Sequence, residues 1–210
     1  MNIEHTATGI VSSHMRNKSV SGMERIVFFS DAVFAIAITL LALEIRLPEI
    51  GGLGNAALFE SLLSIYPKYL SFIVSFLVIG NFWLVHHRQF HYIERYDTPL
   101  ILINLFILMS IAFIPFPTVV ISENGNRVAT IFYALTMSVV GLLLFLLWFY
   151  ASRGRRLITP ELMPARIRRI ALRTLIAPVI FLCSVALAYI HPDVAKFSWL
   201  LIAPAIFIIQ

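Results

Sequence analysis

Asp31 stands a third of the way into RIVFFSDAVFAIAITLLALEIRLP, Arg25 to Pro48, a stretch otherwise apolar enough to enter a bilayer. A carboxylate at mid-helix disfavours insertion by roughly 2.5–3.5 kcal/mol on translocon scales, so it normally faces protein and has a partner there. Two candidates occur in the next apolar runs. His86 lies near the end of the second, and Asn104 lies about two turns into the third. The alternation of spans puts all three at similar depth, so a buried cluster is expected in which Asp31 accepts a hydrogen bond from His86 or Asn104. Ser30 and Thr39 in the same run as Asp31, and Ser71, Ser75, Asn81 and Ser110 further on, are other polar side chains that need partners within lipid.

Other chemistry is thinly represented. His87 and His91 stand four apart and share a helix face, a spacing that suits a metal, but no further ligand accompanies them. Their neighbours Trp83, Arg88 and Tyr92 suggest a membrane-interface role instead. The sequence has no Gly-rich phosphate loop, HExxH, CxxC, Ser-x-x-Lys or nucleophile-elbow pattern, so neither an enzyme, a metal site nor a cofactor is expected. The lone Cys183 lies in an apolar run and rules out an intramolecular disulfide.

The elements that position these residues follow from composition. Sixty per cent hydrophobic and 13% charged residues, with mean hydropathy +0.88, describe an integral membrane protein. Six runs approach the length that crosses the hydrocarbon core: 26–47, 66–87, 99–121, 128–150, 171–190 and a short 196–210. They are too long and too uniformly apolar for barrel strands, so the fold expected is all-α and polytopic with six transmembrane helices. Residues 1–24 read as a flexible polar tail ahead of a six-span domain, 25–210, without a cleavable signal.

Basic residues set the orientation. Arg16, Lys18 and Arg25 precede span 1, Arg88 and Arg95 join spans 2 and 3, and Arg153, Arg155, Arg156, Arg166, Arg168, Arg169 and Arg173 join spans 4 and 5. Against these twelve, the other side has Arg46, Lys68, Arg127 and Lys196. The bias places both termini in the cytoplasm, with the chain in the cell membrane. It also accounts for the +5 charge without a nucleic-acid partner. The basic 4–5 connection could also bind anionic lipid headgroups. Within it, Thr159-Pro160-Glu161 reads as a helix start.

On a helical wheel of 100° per residue, Arg25, Phe29, Ala32, Ile36, Leu40, Leu43 and Leu47 fall in a stripe about 80° wide, with Thr39 at its edge. Asp31 points to nearly the opposite side, towards its own subunit. The wheel alone does not say what faces the stripe.

Arg25 with Phe29-Ser30-Asp31, spaced R-x-x-x-F-S-D at the start of the first span, resembles the signature of the lysosomal potassium channel family in its single-repeat bacterial and archaeal branch. FWLVHHRQF closing span 2 and NLFILMSIAFIPFPT in span 3 are similar to that family too. The resemblance implies a homotetramer in which four copies of helix 1 line a central pore. It carries the family's hydrophobic constriction onto Ile36, then Leu40 and Leu43, residues already on the stripe. A narrow apolar neck closes to ions by sterics and dewetting. Potassium, the permeant ion, would be preferred through its weaker hydration, or through a ring of Thr39 hydroxyls. Arg25, Phe29, Ser30, Asp31, His86 and Asn104 would support helix 1. A proton pathway or secondary transporter using Asp31 and His86 is the alternative; the runs show no paired Gly/Pro-broken helices of the kind transporters use.

Overall fold

The computed structural model describes residues 3–48, 54–202 and 205, with side chains from Gly22 onward. Helix α1 runs Ile3–Leu43, continuous through the segment expected as a tail. It is followed by α2 (Asn55–Ser64), α3 (Tyr66–Tyr92), α4 (Thr98–Phe113), α5 (Pro115–Asn124), α6 (Arg127–Ser152), α7 (Pro164–Ile190) and α8 (Pro192–Ser198). Among the described residues there is no sheet, only an isolated antiparallel bridge between Ile93 and Ile158. Five stretches are long and apolar enough to span: Gly22–Leu43, Tyr66–Tyr92, Thr98–Asn124, Arg127–Arg155 and Pro164–Ile190. Of the sixth expected span, 196–210, residues 203, 204 and 206–210 lie outside the described residues.

Three boundaries differ from expectation. Helix α1 ends at Leu43, so Leu47 leaves the helical stripe. Pro48 disfavours helical backbone at the residue before it, and a turn already begins with Glu44 N–H on Leu41 C=O. The third span is interrupted at Ile114, where Pro115 and Pro117 remove two backbone donors, so a proline-broken span does occur here. Helix α7 begins at Pro164, not near Thr159. Thr159 is engaged elsewhere: its N–H and hydroxyl both donate to Tyr92 C=O, at 2.9 and 3.2 Å.

Local chemistry explains the well-formed ends. Asp97 caps α4 by accepting from Leu100 N–H at 3.1 Å, and Asn126 caps α6 by accepting from Ala129 N–H at 3.0 Å. Between α5 and α6 the chain turns at Gly125, whose φ of 58° is the left-handed conformation glycine adopts without a Cβ clash. The subunit is built round α6, which packs against α3, α4, α5, α7 and α8. Its Tyr133, Ala134, Met137, Val140, Leu144, Leu147 and Trp148 are buried. Where α6 meets α7, a Cβ on Gly141 would fall 2.7 Å from Pro178 Cδ, so only glycine allows this approach. Helix α1 packs at the periphery, on α3, α4 and α5.

Candidate functional site

Helix α1 has two faces. Ser30, Phe34, Ala37 and Leu41 recur at four- and three-residue steps and are buried against the subunit. The opposite face carries Arg25, Phe29, Ala32, Ile36, Thr39, Leu40 and Leu43, all exposed in the single chain. Ile36 is 58%, Leu40 39% and Leu43 65% accessible. Thr39 donates its hydroxyl proton to Ile36 C=O at 2.8 Å, which leaves its lone pairs turned outward.

A directed chain of hydrogen bonds joins the buried face of α1 to α3 and α4. Ser30 Oγ–H donates to Ile26 C=O at 2.8 Å and so accepts from Asn104 Nδ2–H at 3.0 Å. Asn104 Oδ1, which can only accept, lies 2.9 Å from His86 Nε2, and this places the imidazole proton on Nε2. Ser30, Asn104 and His86 are all buried. His86 also packs against Phe34 of α1, ring centroids 5.4 Å apart, and stacks on Phe90 at 4.4 Å. Polar groups withdrawn from water are costly when unpaired, so this network favours one angular setting of α1 over others.

Asp31 is not a member. Its Oδ1 accepts from Trp83 Nε1–H at 2.8 Å, not from His86 or Asn104. The reason is rotational: one residue is 100° of helix, so when Ser30 faces Asn104 the next side chain turns to the flank, where α3 presents an indole. Trp83 was therefore the partner missed. It lies three residues before His86, a spacing that shares a helix face, but its aromatic character reads from sequence as an interface anchor. Arg25 and Phe29, also in the R-x-x-x-F-S-D pattern, point to the exposed side instead.

A second buried cluster was not anticipated. Thr118 Oγ–H donates to Ile114 C=O at 2.9 Å, at the break in the third span. Ser75 lies 2.9 Å from Thr118 Oγ1 and 3.0 Å from Tyr133 OH. At the basic end of the subunit Asp97 joins three elements. Its Oδ2 accepts from Tyr150 OH at 2.7 Å and from Arg156 Nη2 at 3.1 Å, beside the cap bond to Leu100. Partial desolvation pushes the Asp97 carboxyl up, but the bonds from Tyr150 and Leu100 and the charge of Arg156 together hold it below the usual carboxylate range. Among the described residues no group of three His, Cys, Asp or Glu could hold a metal, and His87 stacks on Trp83 while His91 meets the edge of Tyr92.

Comparison with known proteins places this architecture. Residues 25–115 match the family model described as endosomal/lysosomal potassium channel TMEM175. A protein of Streptomyces collinus named as a potassium channel is 36% identical over 171 residues, which cover 79% of this chain and 82% of the relative. The chain belongs to the TMEM175 family. A crystal structure described as a lysosomal potassium-selective channel TMEM175 homolog from Chamaesiphon minutus superposes with a TM-score of 0.78 at 33% identity, covering 90% of this chain and 97% of that one. A TMEM175 of Gallus gallus, named as an endosomal/lysosomal proton channel, is 36% identical over 110 residues, half of this chain and 22% of the relative. Arg25, Phe29, Ser30, Asp31, His86 and Asn104 all fall inside the residues matched by the family model.

Proposed function

We propose that this chain is a passive, potassium-preferring cation channel of the cell membrane, not an enzyme, formed by four copies whose α1 helices surround a central pathway. Residues 25–210 make up the channel domain, and both termini are cytoplasmic. The observation that carries the reading is the outward face of α1, where Ile36, Leu40 and Leu43 are accessible while the hydrogen-bonded face is sealed against the subunit. Four Ile36 side chains meeting on a symmetry axis form an apolar neck that closes by sterics and dewetting, and Leu40 and Leu43 extend it. Thr39 completes the lining with oxygens whose protons are already committed to Ile36 C=O, so they meet a cation as acceptors. The names of the Streptomyces and Chamaesiphon relatives support potassium as the permeant ion.

Ser30, Asp31, His86 and Asn104 act at one remove, while Arg25 and Phe29 stand at the start of the exposed face. Ser30, His86 and Asn104 set the rotation of α1, and Asp31 pins its flank to Trp83. A small change in that rotation would move Ile36 on or off the axis.

The names of the vertebrate relatives favour a second reading, proton conduction through Asp31 and His86. The hydrogen bonds do not join the two: Asp31 is bonded to an indole N–H, which has no second site to pass a proton onward, and His86 is bonded to a carboxamide.

Flux from proteoliposomes, with potassium, sodium and proton movement read separately, decides between them. Ile36→Asn should raise potassium flux or reduce its preference over sodium. A proton current that depends on Asp31, with no potassium flux in the wild type, would overturn the channel reading.

A further inference from the structure

The connection between α6 and α7 carries three arginines and the first part of α7 four more, and they are not equivalent. Arg156 is bonded to Asp97 and Tyr150, and the Arg166 guanidinium lies over the Tyr92 ring at 5.5 Å. Arg153, Arg155, Arg168 and Arg169 are exposed, and among the described residues none has an acidic partner. Orientation in the membrane accounts for their number but not for how the backbone presents them.

Gly154 and Arg155 adopt φ of 64° and 54°, and Arg155 is the only non-glycine residue with positive φ among the described residues. Arg156 returns to right-handed backbone at φ −72° and ψ −36°. A left-handed residue followed by a right-handed one turns successive N–H groups towards one side, the geometry of an anion-binding concavity. Here three arginines lie in the same four residues, Arg153-Gly154-Arg155-Arg156.

Helix α7 adds to the same end. It places Arg166, Arg168 and Arg169 in its first two turns, where the helix dipole disfavours cations and welcomes an external anion. Exposed apolar side chains lie within a few residues of these arginines along the chain: Phe149 in the last turn of α6, Met163, 65% accessible, just before α7, and Leu172 within it. Guanidinium groups next to exposed apolar surface, at the ends of two spans, match a ligand with a phosphate and acyl chains better than a soluble anion.

We propose that Arg153, Arg155, Arg168 and Arg169 form a docking surface for the headgroups of anionic phospholipids at the inner membrane face. The proposal rests on the chain spanning a membrane and is independent of which ion it conducts. The test is the thermal midpoint of the full chain in neutral detergent during titration with phosphatidylglycerol, with phosphatidylcholine and inorganic phosphate as separate arms. Phosphatidylglycerol should raise the midpoint and the other two should not. Each arginine replaced by glutamine should weaken the apparent affinity about fivefold. The combined Arg153→Gln, Arg155→Gln, Arg168→Gln, Arg169→Gln variant should abolish the response, and Arg127→Gln at the far end should keep it.

Arg155→Gly guards against misfolding, because glycine suits the positive φ while the whole side chain, guanidinium included, is lost; this variant should fold and bind more weakly. Equal shifts with phosphatidylcholine mean non-specific solvation, and a full shift with phosphate alone means an adventitious ion only. Either result, or an undiminished response in Arg155→Gly and the combined variant, overturns the proposal.

Discussion

Helices α1 and α6 reach nearly the same mean hydropathy over their membrane windows, 2.4 and 2.3, yet 22% of the first window is buried against 50% of the second. Hydropathy reports only that a segment leaves water. It does not report whether the segment then meets protein, lipid or another copy of the chain, because lipid tails and leucine side chains are alike apolar. Helix α6 uses its apolar residues as the centre of one subunit. Helix α1 attaches through Ser30, Asp31 and the buried Phe34, Ala37 and Leu41, and leaves the apolar stripe of Ile36, Leu40 and Leu43 outside. Damage to α6 should therefore appear first as lost stability, and damage to the outer face of α1 as altered conduction.

The sharpest way to break that contrast is a matched pair of truncations. Trp148→Ala removes a buried indole that packs in α6 and donates to Ile167 C=O at 3.0 Å, and should cost about 3–5 kcal/mol. Leu43→Ala on α1 should leave the subunit's thermal midpoint nearly unchanged while raising ion flux. A large drop in midpoint for Leu43→Ala with no effect on flux would put this face in structural packing and not in a pathway.

Asn104→Leu tests the attachment itself. It deprives His86 and Ser30 of their partner and should destabilise by roughly 1–3 kcal/mol. Flux should change with it, while preference for potassium is retained, since no lining residue is altered. Asp31→Ala should act in the same direction but less, because it frees only the indole of the half-buried Trp83. A collapse of selectivity with normal assembly and gating would show that Asp31 lines the pathway instead.

The smallest effect is expected at Asp97. Its carboxyl titrates lower in the folded chain than in the unfolded one. The stabilisation is therefore fully present above the unfolded value, near 3.9, and is lost as pH falls through the lower folded value. An acid titration of the thermal midpoint should show this loss in the wild type and a flatter curve in Asp97→Asn. Identical curves would mean the contacts to Tyr150, Arg156 and Leu100 contribute nothing net.

Much of the fold was legible because bilayer thickness imposes a length that apolar runs either meet or miss. The first five spans follow from that rule with shifts at their ends, and those shifts have local causes: Pro48 after α1, Pro115 and Pro117 within the third span, Thr159 held by Tyr92. The wheel also separated the Ile36 stripe from the side of Ser30, since periodicity is a property of one helix alone. That Ser30, His86, Asn104 and Asp31 would need partners was likewise readable from the cost of polar groups in lipid.

Which partner each one takes was decided only by packing between helices. Asp31 meets Trp83 and not His86 because rotation and depth of α1 against α3 and α4 are set jointly by many contacts, and a single residue step swings a side chain through 100°. Ser75, Thr118 and Tyr133, drawn from three helices, could not be grouped by any spacing along the chain. Nor could the left-handed turn at Arg155, where a residue of poor propensity is held by the structure on either side. Sequence determined what must leave water and what must not be left unpaired; tertiary structure decided who pairs with whom, because that depends on distances no one helix contains.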